Sequence, residues 1–183
     1  MEEELKITEH LYKLHLNNQF PKDHVAYLHK LKKDGFEPKI IYDIGSCLLH
    51  WTQEVEKLWP DAKVILFDAF DKAEFLYNNY EYYIGVLTDE DSKAIKFYQN
   101  NYMLGGNSYY KEIGSHNAER VFNESHVIKK VGFTLDTVVR AKKFPPPDFV
   151  KIDVQGSELD VIRGATETFK NCKHLIVELQ SEQ

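Results

Sequence analysis

Cysteine is scarce in this 183-residue chain. The only two, Cys47 and Cys172, are far apart and unpaired by any CxxC spacing. A disulfide scaffold and a cysteine-rich zinc site are thereby excluded. The eight histidines are scattered without an HExxH or similar spacing, so no metal-ligand set is legible. Long hydrophobic runs are missing too. None approaches the roughly 20 apolar residues that cross a bilayer, and the opening Met1-Glu2-Glu3-Glu4 is acidic where a signal peptide would be basic. The expectation is a cytoplasmic protein with no membrane partner. Basic charge is thin: 23 Lys and Arg face 29 Asp and Glu, giving a net charge of -6. Without a dense Lys/Arg stripe, a nucleic-acid partner is disfavoured.

What is present is ordinary for one globular domain, with 43% hydrophobic and 28% charged residues. A single domain over residues 1–183 is expected, with a helical extension at 1–35 and a core at 36–180. Val25, Leu28 and Leu31 recur at helical spacing between Asp23 and Gly35, a start signal and a stop signal. Strands are expected near 39–43, 63–67, 81–85, 149–153 and 174–179, with shorter ones at Ile95–Tyr98 and Val127–Val131. Trp51, Val55, Leu58 and Trp59 mark a helix between the first two strands. Asp71 with Glu74 reads as a capping box opening the next. Ser157 reads as the cap of a helix whose apolar face is Leu159, Ile162 and Phe169. Continuous apolar strands alternating with helices indicate an α/β fold with a mainly parallel central sheet covered on both faces.

Open parallel sheets bind ligands at the carboxyl ends of their strands. Asp43, Asp68 and Asp153 all fall at such ends, so three acids are expected to face one crevice. Asp43-x-Gly45 has the form of a nucleoside-binding turn, because Gly45 lets the backbone approach a ligand and the following helix start offers free amides. Asp68 sits where an acid accepts hydrogen bonds from ribose hydroxyls. A nicotinamide dinucleotide would need the G-x-G-x-x-G turn that admits a pyrophosphate. Here a single glycine is followed by Ser46-Cys47-Leu48-Leu49. S-adenosylmethionine carries ribose and adenine but no phosphate, and suits such a turn.

Ile41-Tyr42-Asp43-Ile44-Gly45-Ser46, Phe67-Asp68, Gly85-Val86-Leu87-Thr88-Asp89, Gly105-Gly106-Asn107-Ser108 and Thr134-Leu135-Asp136-Thr137 each resemble segments of the FkbM family of methyltransferases. The block from Asp148 to Ala165, centred on Lys151-Ile152-Asp153-Val154-Gln155-Gly156-Ser157-Glu158, is the most specific of these resemblances. The resemblance implies a Rossmann-like class I methyltransferase fold and methyl transfer from S-adenosylmethionine to oxygen, often on sugars or sugar-bearing metabolites. Three positions depart from the family pattern: Cys47 replaces Asn, Leu49 replaces a second glycine, and Ala69 follows Asp68 where proline is usual. The class fold also continues with a further strand pair, which this chain, ending at Gln183, is expected to lack.

Roles follow for particular residues. Asp43, Gly45, Ser46, Asp68, Val86, Leu87 and Asp153 are the cofactor-binding candidates. Asp153, Glu158 and His116 are the candidates for the group that takes the acceptor's proton. Ser108, Tyr109 and Gln155 are candidates for holding the acceptor, a small molecule or glycan. A glycosyltransferase partner or fused domain would fit such a role. Asp136 is read as a helix cap. Two other readings remain at this stage: a methyltransferase-like module without activity, and a nicotinamide-dependent oxidoreductase.

Overall fold

The computed structural model describes residues 2–18, 22–102, 104–111 and 122–179. In chain order the strands are β1 (Ile40–Ile44), β2 (Lys63–Asp68), β3 (Glu81–Ile84), β4 (Val86–Leu87), β5 (Lys93–Tyr98), β6 (Val127–Phe133), β7 (Phe149–Ile152) and β8 (His174–Val177). The α-helices are α1 (Glu2–Leu16), α2 (Lys22–Lys33), α3 (His50–Leu58), α4 (Leu135–Lys142) and α5 (Glu158–Arg163). Five strands form an all-parallel sheet in the order β3-β2-β1-β7-β8. This is the Rossmann-like architecture the sequence predicts, with strand order reversing beside β1. A smaller sheet pairs β4 parallel and β5 antiparallel to β6.

Successive strand residues serve opposite faces. Ile41, Val64, Leu66 and Phe149 pack with Leu11, Leu28, Trp51, Val55 and Trp59 from the first three helices. Tyr42, Ile65, Phe67, Val150 and Ile152 pack with Leu135, Val138, Val161 and Ala165 on the other side. Both faces are therefore covered, which is why these strands read as continuous apolar runs. At the carboxyl ends the pattern continues with polar residues. Asp43 and Lys151, in register across β1 and β7, follow Ile41 and Phe149 on the α3 side.

Local signals decide several boundaries. The α2 helix ends at Gly35 (φ +84°), where Phe36 N–H reaches Leu31 O and Gly35 N–H reaches Lys32 O. Such a paired closure needs the left-handed region, which glycine enters freely. Among the described residues no helix is long and apolar enough to cross a membrane.

Three local expectations are corrected. Asp71–Leu76 is a 3₁₀ helix without a capping box. Asp71 instead accepts from Gln99, and Glu74 from the Tyr82 hydroxyl. Ser157 precedes α5 but donates its hydroxyl to Val154 O and makes no cap bond. The α5 helix is only six residues long, so Phe169 belongs to the next turn (Thr168–Asn171), and Leu159 is exposed while Val161 takes the core position. Asp136 is a cap, though not of its own helix. Thr134 accepts from Thr137 N–H at the start of α4, while Asp136 accepts from Glu167 N, Thr168 N and the Thr166 and Thr168 hydroxyls.

Candidate active site

The turn after β1 is built on Gly45. Its φ is +81°, and a Cβ placed there would lie 1.7 Å from the Asp153 carbonyl oxygen. Only glycine lets the ends of β1 and β7 approach this closely. Ser46 is buried and fastens the turn, donating to Asp43 O at 2.6 Å and accepting from Phe67 N–H at 3.2 Å. Asp68, at the end of β2, accepts from Cys47 N–H at 2.6 Å with one oxygen and from Phe70 N–H at 2.7 Å with the other. Burial raises its pKa above the ordinary aspartate value even though both amide bonds favour the carboxylate.

Beside Asp68 lies a cavity of about 180 Å³ at the strand ends. Its apolar wall includes Phe67, Phe70, Val86, Leu87 and Phe97, and its polar groups include Asp68, Asn107, Asp153 and Gln155. Asp153 lies across the cavity from the β2 end. Its Oδ1 accepts from Gln155 Nε2 at 2.7 Å, and its Oδ2 is 3.5 Å from Lys151 Nζ. Lys151 is almost fully buried, donates to Gly45 O at 2.8 Å and pairs with Asp43 Oδ1 at 3.2 Å. Burial disfavours its ammonium, yet the charges of Asp43 and Asp153 outweigh burial and raise its pKa.

A family model for the methyltransferase FkbM domain matches residues 15–183. The chain belongs to that family. No curated protein and no solved structure matches it. All of α1 except its last two residues, His15 and Leu16, lies ahead of the matched segment, while every strand lies inside it.

The FkbM pattern makes two departures in this sequence physically legible. Cys47 (φ +42°) and Leu49 (φ +66°) both have left-handed backbone. The family's Asn and Gly are the residues that tolerate that region best. Cys47 and Leu49 therefore hold left-handed positions at a steric cost that glycine would not carry.

Of the sequence candidates, Gly45, Asp68, Val86, Leu87, Tyr109, Asp153 and Gln155 line the first cavity. Ser46 lines a second, adjoining one. Asp43 lines neither. It is wholly buried, accepting from the Thr52 hydroxyl at 2.6 Å and pairing with Lys151, so it braces the site from behind. Glu158 also lines neither cavity. Its buried carboxylate accepts from Val154 N and Gly156 N, both at 3.1 Å, and so clamps the 153–157 turn. Ser108 is buried with its backbone bridged to Tyr98, and its Oγ accepts from Tyr110 N–H. Asn107 is the neighbour that faces the cavity. His116 lies outside the described residues.

Sequence reasoning passed over Lys151 and Glu178. Glu178 directly follows β8 and lines the second cavity with Lys151 and Asp153. Its signal was available: an acid follows β8 just as acids close β1 and β2 and follow β7.

Proposed function

We propose that this FkbM methyltransferase is S-adenosylmethionine-dependent and transfers the methyl group to a hydroxyl oxygen of a sugar or glycan. The observation that carries the reading is the placement of Asp68 and Asp153 on one largely apolar cavity whose turn has a single glycine. The donor set fits the nucleoside. Each Asp68 oxygen is engaged by one backbone N–H, which leaves lone pairs for ribose hydroxyls. Val86 and Leu87 offer the flat, dry wall that adenine needs. S-adenosylmethionine, when bound, supplies an electrophilic methyl group on a positively charged sulfur.

The protein's own residues have two tasks. They hold the acceptor oxygen in line with the methyl carbon, and they receive the hydroxyl proton. Asp153, held by Gln155 and beside Lys151, is the group we assign to both tasks. Near the cavity, the Tyr109 and Tyr110 rings lie 4.8 Å apart, tilted by 40°, and Asn107 adds an amide. Aromatic faces and amides are the groups that pack on and hydrogen-bond a pyranose. The net charge of -6 disfavours a nucleic-acid acceptor. A glycosyltransferase acting beside this domain, in the cytoplasm, would supply the sugar.

The test is incubation with methyl-labelled S-adenosylmethionine and separate pools of glycans, tRNA, proteins and small phenols. Label in the glycan pool is expected. Label confined to tRNA or protein would overturn the sugar assignment, and failure to bind S-adenosylhomocysteine in a calorimetric titration would overturn the cofactor.

A further inference from the structure

A second cavity, about 420 Å³, adjoins the nucleoside cavity and shares Gly45, Cys47, Leu104 and Asp153 with it. Its lining also includes Lys151 and Glu178 at the ends of β7 and β8, and Leu14, Asn17 and His24 from the N-terminal helices and the turn between them. That helical wall is fastened to the site. His15 Nδ1 lies 2.7 Å from Leu48 O, His50 Nε2 lies 2.9 Å from Leu14 O, and Asn18 donates to His50 O at 3.1 Å.

Asp153 and Glu178 follow the ends of the adjacent strands β7 and β8, one residue past the Ile152–Val177 register pair, so two acids meet in the wall where the cavities join. That pairing, beside the Lys151 ammonium, marks the cavity as a place for an oxygen-bearing ligand.

We propose that the second cavity is the acceptor chamber and that the Asp153–Glu178 carboxyl pair receives the acceptor's proton. The inference rests on the methyltransferase reading above. In the step, the acceptor O–H bond breaks and its oxygen bonds to the methyl carbon. The carbon–sulfur bond breaks with its electron pair left on sulfur, and the proton passes to the carboxyl pair, which later releases it to water. Two carboxyls beside one ammonium repel phosphates and carboxylates. The chamber therefore takes a neutral, hydroxyl-rich molecule.

The charged and titratable groups around Glu178 are Lys151 on β7, Asp153 just after it, Glu158 on α5, and His24 and His50 in the chamber wall. Burial, then the charge and hydrogen bond of Asp153, raise the Glu178 pKa above the ordinary glutamate value, with Lys151 opposing. A carboxylate whose proton is lost above the ordinary range is a stronger base than an unperturbed one.

The experiment compares the full chain with Glu178→Gln, using the neutral-glycan pool and S-adenosylhomocysteine as probes. Glu178→Gln should lower kcat by about 10²-fold and shift the acid limb of the pH profile downward, with the S-adenosylhomocysteine Kd held. Wild-type turnover and an unmoved acid limb in Glu178→Gln would overturn the proposal. Loss of S-adenosylhomocysteine binding by the wild type would instead overturn the cofactor reading beneath it. If the glycan pool takes no label, ¹³C-carboxyl NMR titration decides. A Glu178 signal titrating above the ordinary range, and falling in Asp153→Asn, supports the pair. A signal in the ordinary range and indifferent to Asp153→Asn overturns it.

Discussion

Asp43 and Lys151 face each other in register on adjacent parallel strands, with the ammonium 3.2 Å from Oδ1 and both side chains almost wholly out of water. Neither lines the first cavity, yet Lys151 also bonds Gly45 O and approaches Asp153, so the pair ties the β1 turn to the end of β7.

Removing one partner of such a pair strands the other charge. Lys151→Met should therefore cost about 3–5 kcal/mol and lower Tm by roughly 10 °C. The double variant Asp43→Leu/Lys151→Met leaves no stranded charge and should recover part of the loss. Thermal unfolding checks both. A single Lys151→Met variant melting with the wild type would show that the pair contributes nothing.

Asp68 uses one oxygen on Cys47 N–H and the other on Phe70 N–H. Asp68→Ala removes the acid proposed to hold ribose, where hydrogen bonds to a charged acceptor are worth about 1.5–3 kcal/mol each. The S-adenosylhomocysteine Kd should rise at least tenfold, as 1.4 kcal/mol corresponds to a factor of about ten. Asp68→Asn should also bind weakly, because its amide NH₂ must oppose one of the two backbone N–H groups. A rise below twofold in Asp68→Ala would remove Asp68 from the ribose site.

The sheet was legible in the sequence because its strands are apolar on both faces and each ends at a polar residue. Ile40–Ile44 and Lys63–Asp68 could hardly be read otherwise. Asp68 and Asp153 were legible for the same reason. The duties of Asp43, Glu158 and Ser108 were not, since an acid or hydroxyl that lines a cavity and one that braces a turn from behind look alike in one dimension. Glu158 shows the difficulty. Its place in the first turn of α5 suited either a base or an exposed end group, whereas three-dimensional packing buries it against the Val154 and Gly156 amides. The capping box at Asp71 failed because Gln99 and Tyr82, remote in sequence, offered those carboxylates better partners.

Asp136 gives a pH prediction. Burial opposes its ionisation, but the amides of Glu167 and Thr168 and the hydroxyls of Thr168 and Thr166 outweigh burial and hold its pKa below the ordinary value. A carboxylate whose pKa is depressed on folding contributes stability above its unfolded pKa, about 3.9, and loses it as pH falls through the folded value. Asp136→Asn should therefore be less stable than wild type near pH 7. The two should converge as pH drops below about 4. Urea midpoints measured across that range check this, and a gap between the proteins that stays constant with pH would refute it.

Tyr109 and Tyr110 place both hydroxyls on one oxygen of buried Asp160, at 2.9 and 2.8 Å. Burial and that bond push the Tyr109 hydroxyl pKa well above the ordinary tyrosine range, so it remains a donor at any working pH. The pair holds the 104–111 segment against α5, and Leu104, Asn107 and Tyr109 of that segment line the first cavity, proposed to hold the nucleoside. Either single Phe variant leaves Asp160 one phenol, and each should cost about 1 kcal/mol. The double variant leaves that carboxylate with Arg163, 3.5 Å from its other oxygen. Because the two phenols share one acceptor, the double variant should cost more than the sum of the singles. It should also weaken S-adenosylhomocysteine binding, since the cavity wall is then loosened while both aromatic rings remain. Urea unfolding of the four proteins gives the coupling, and calorimetry gives the affinity. Strict additivity with an unchanged Kd would mean that the two tyrosines act separately and that the segment is held by something else.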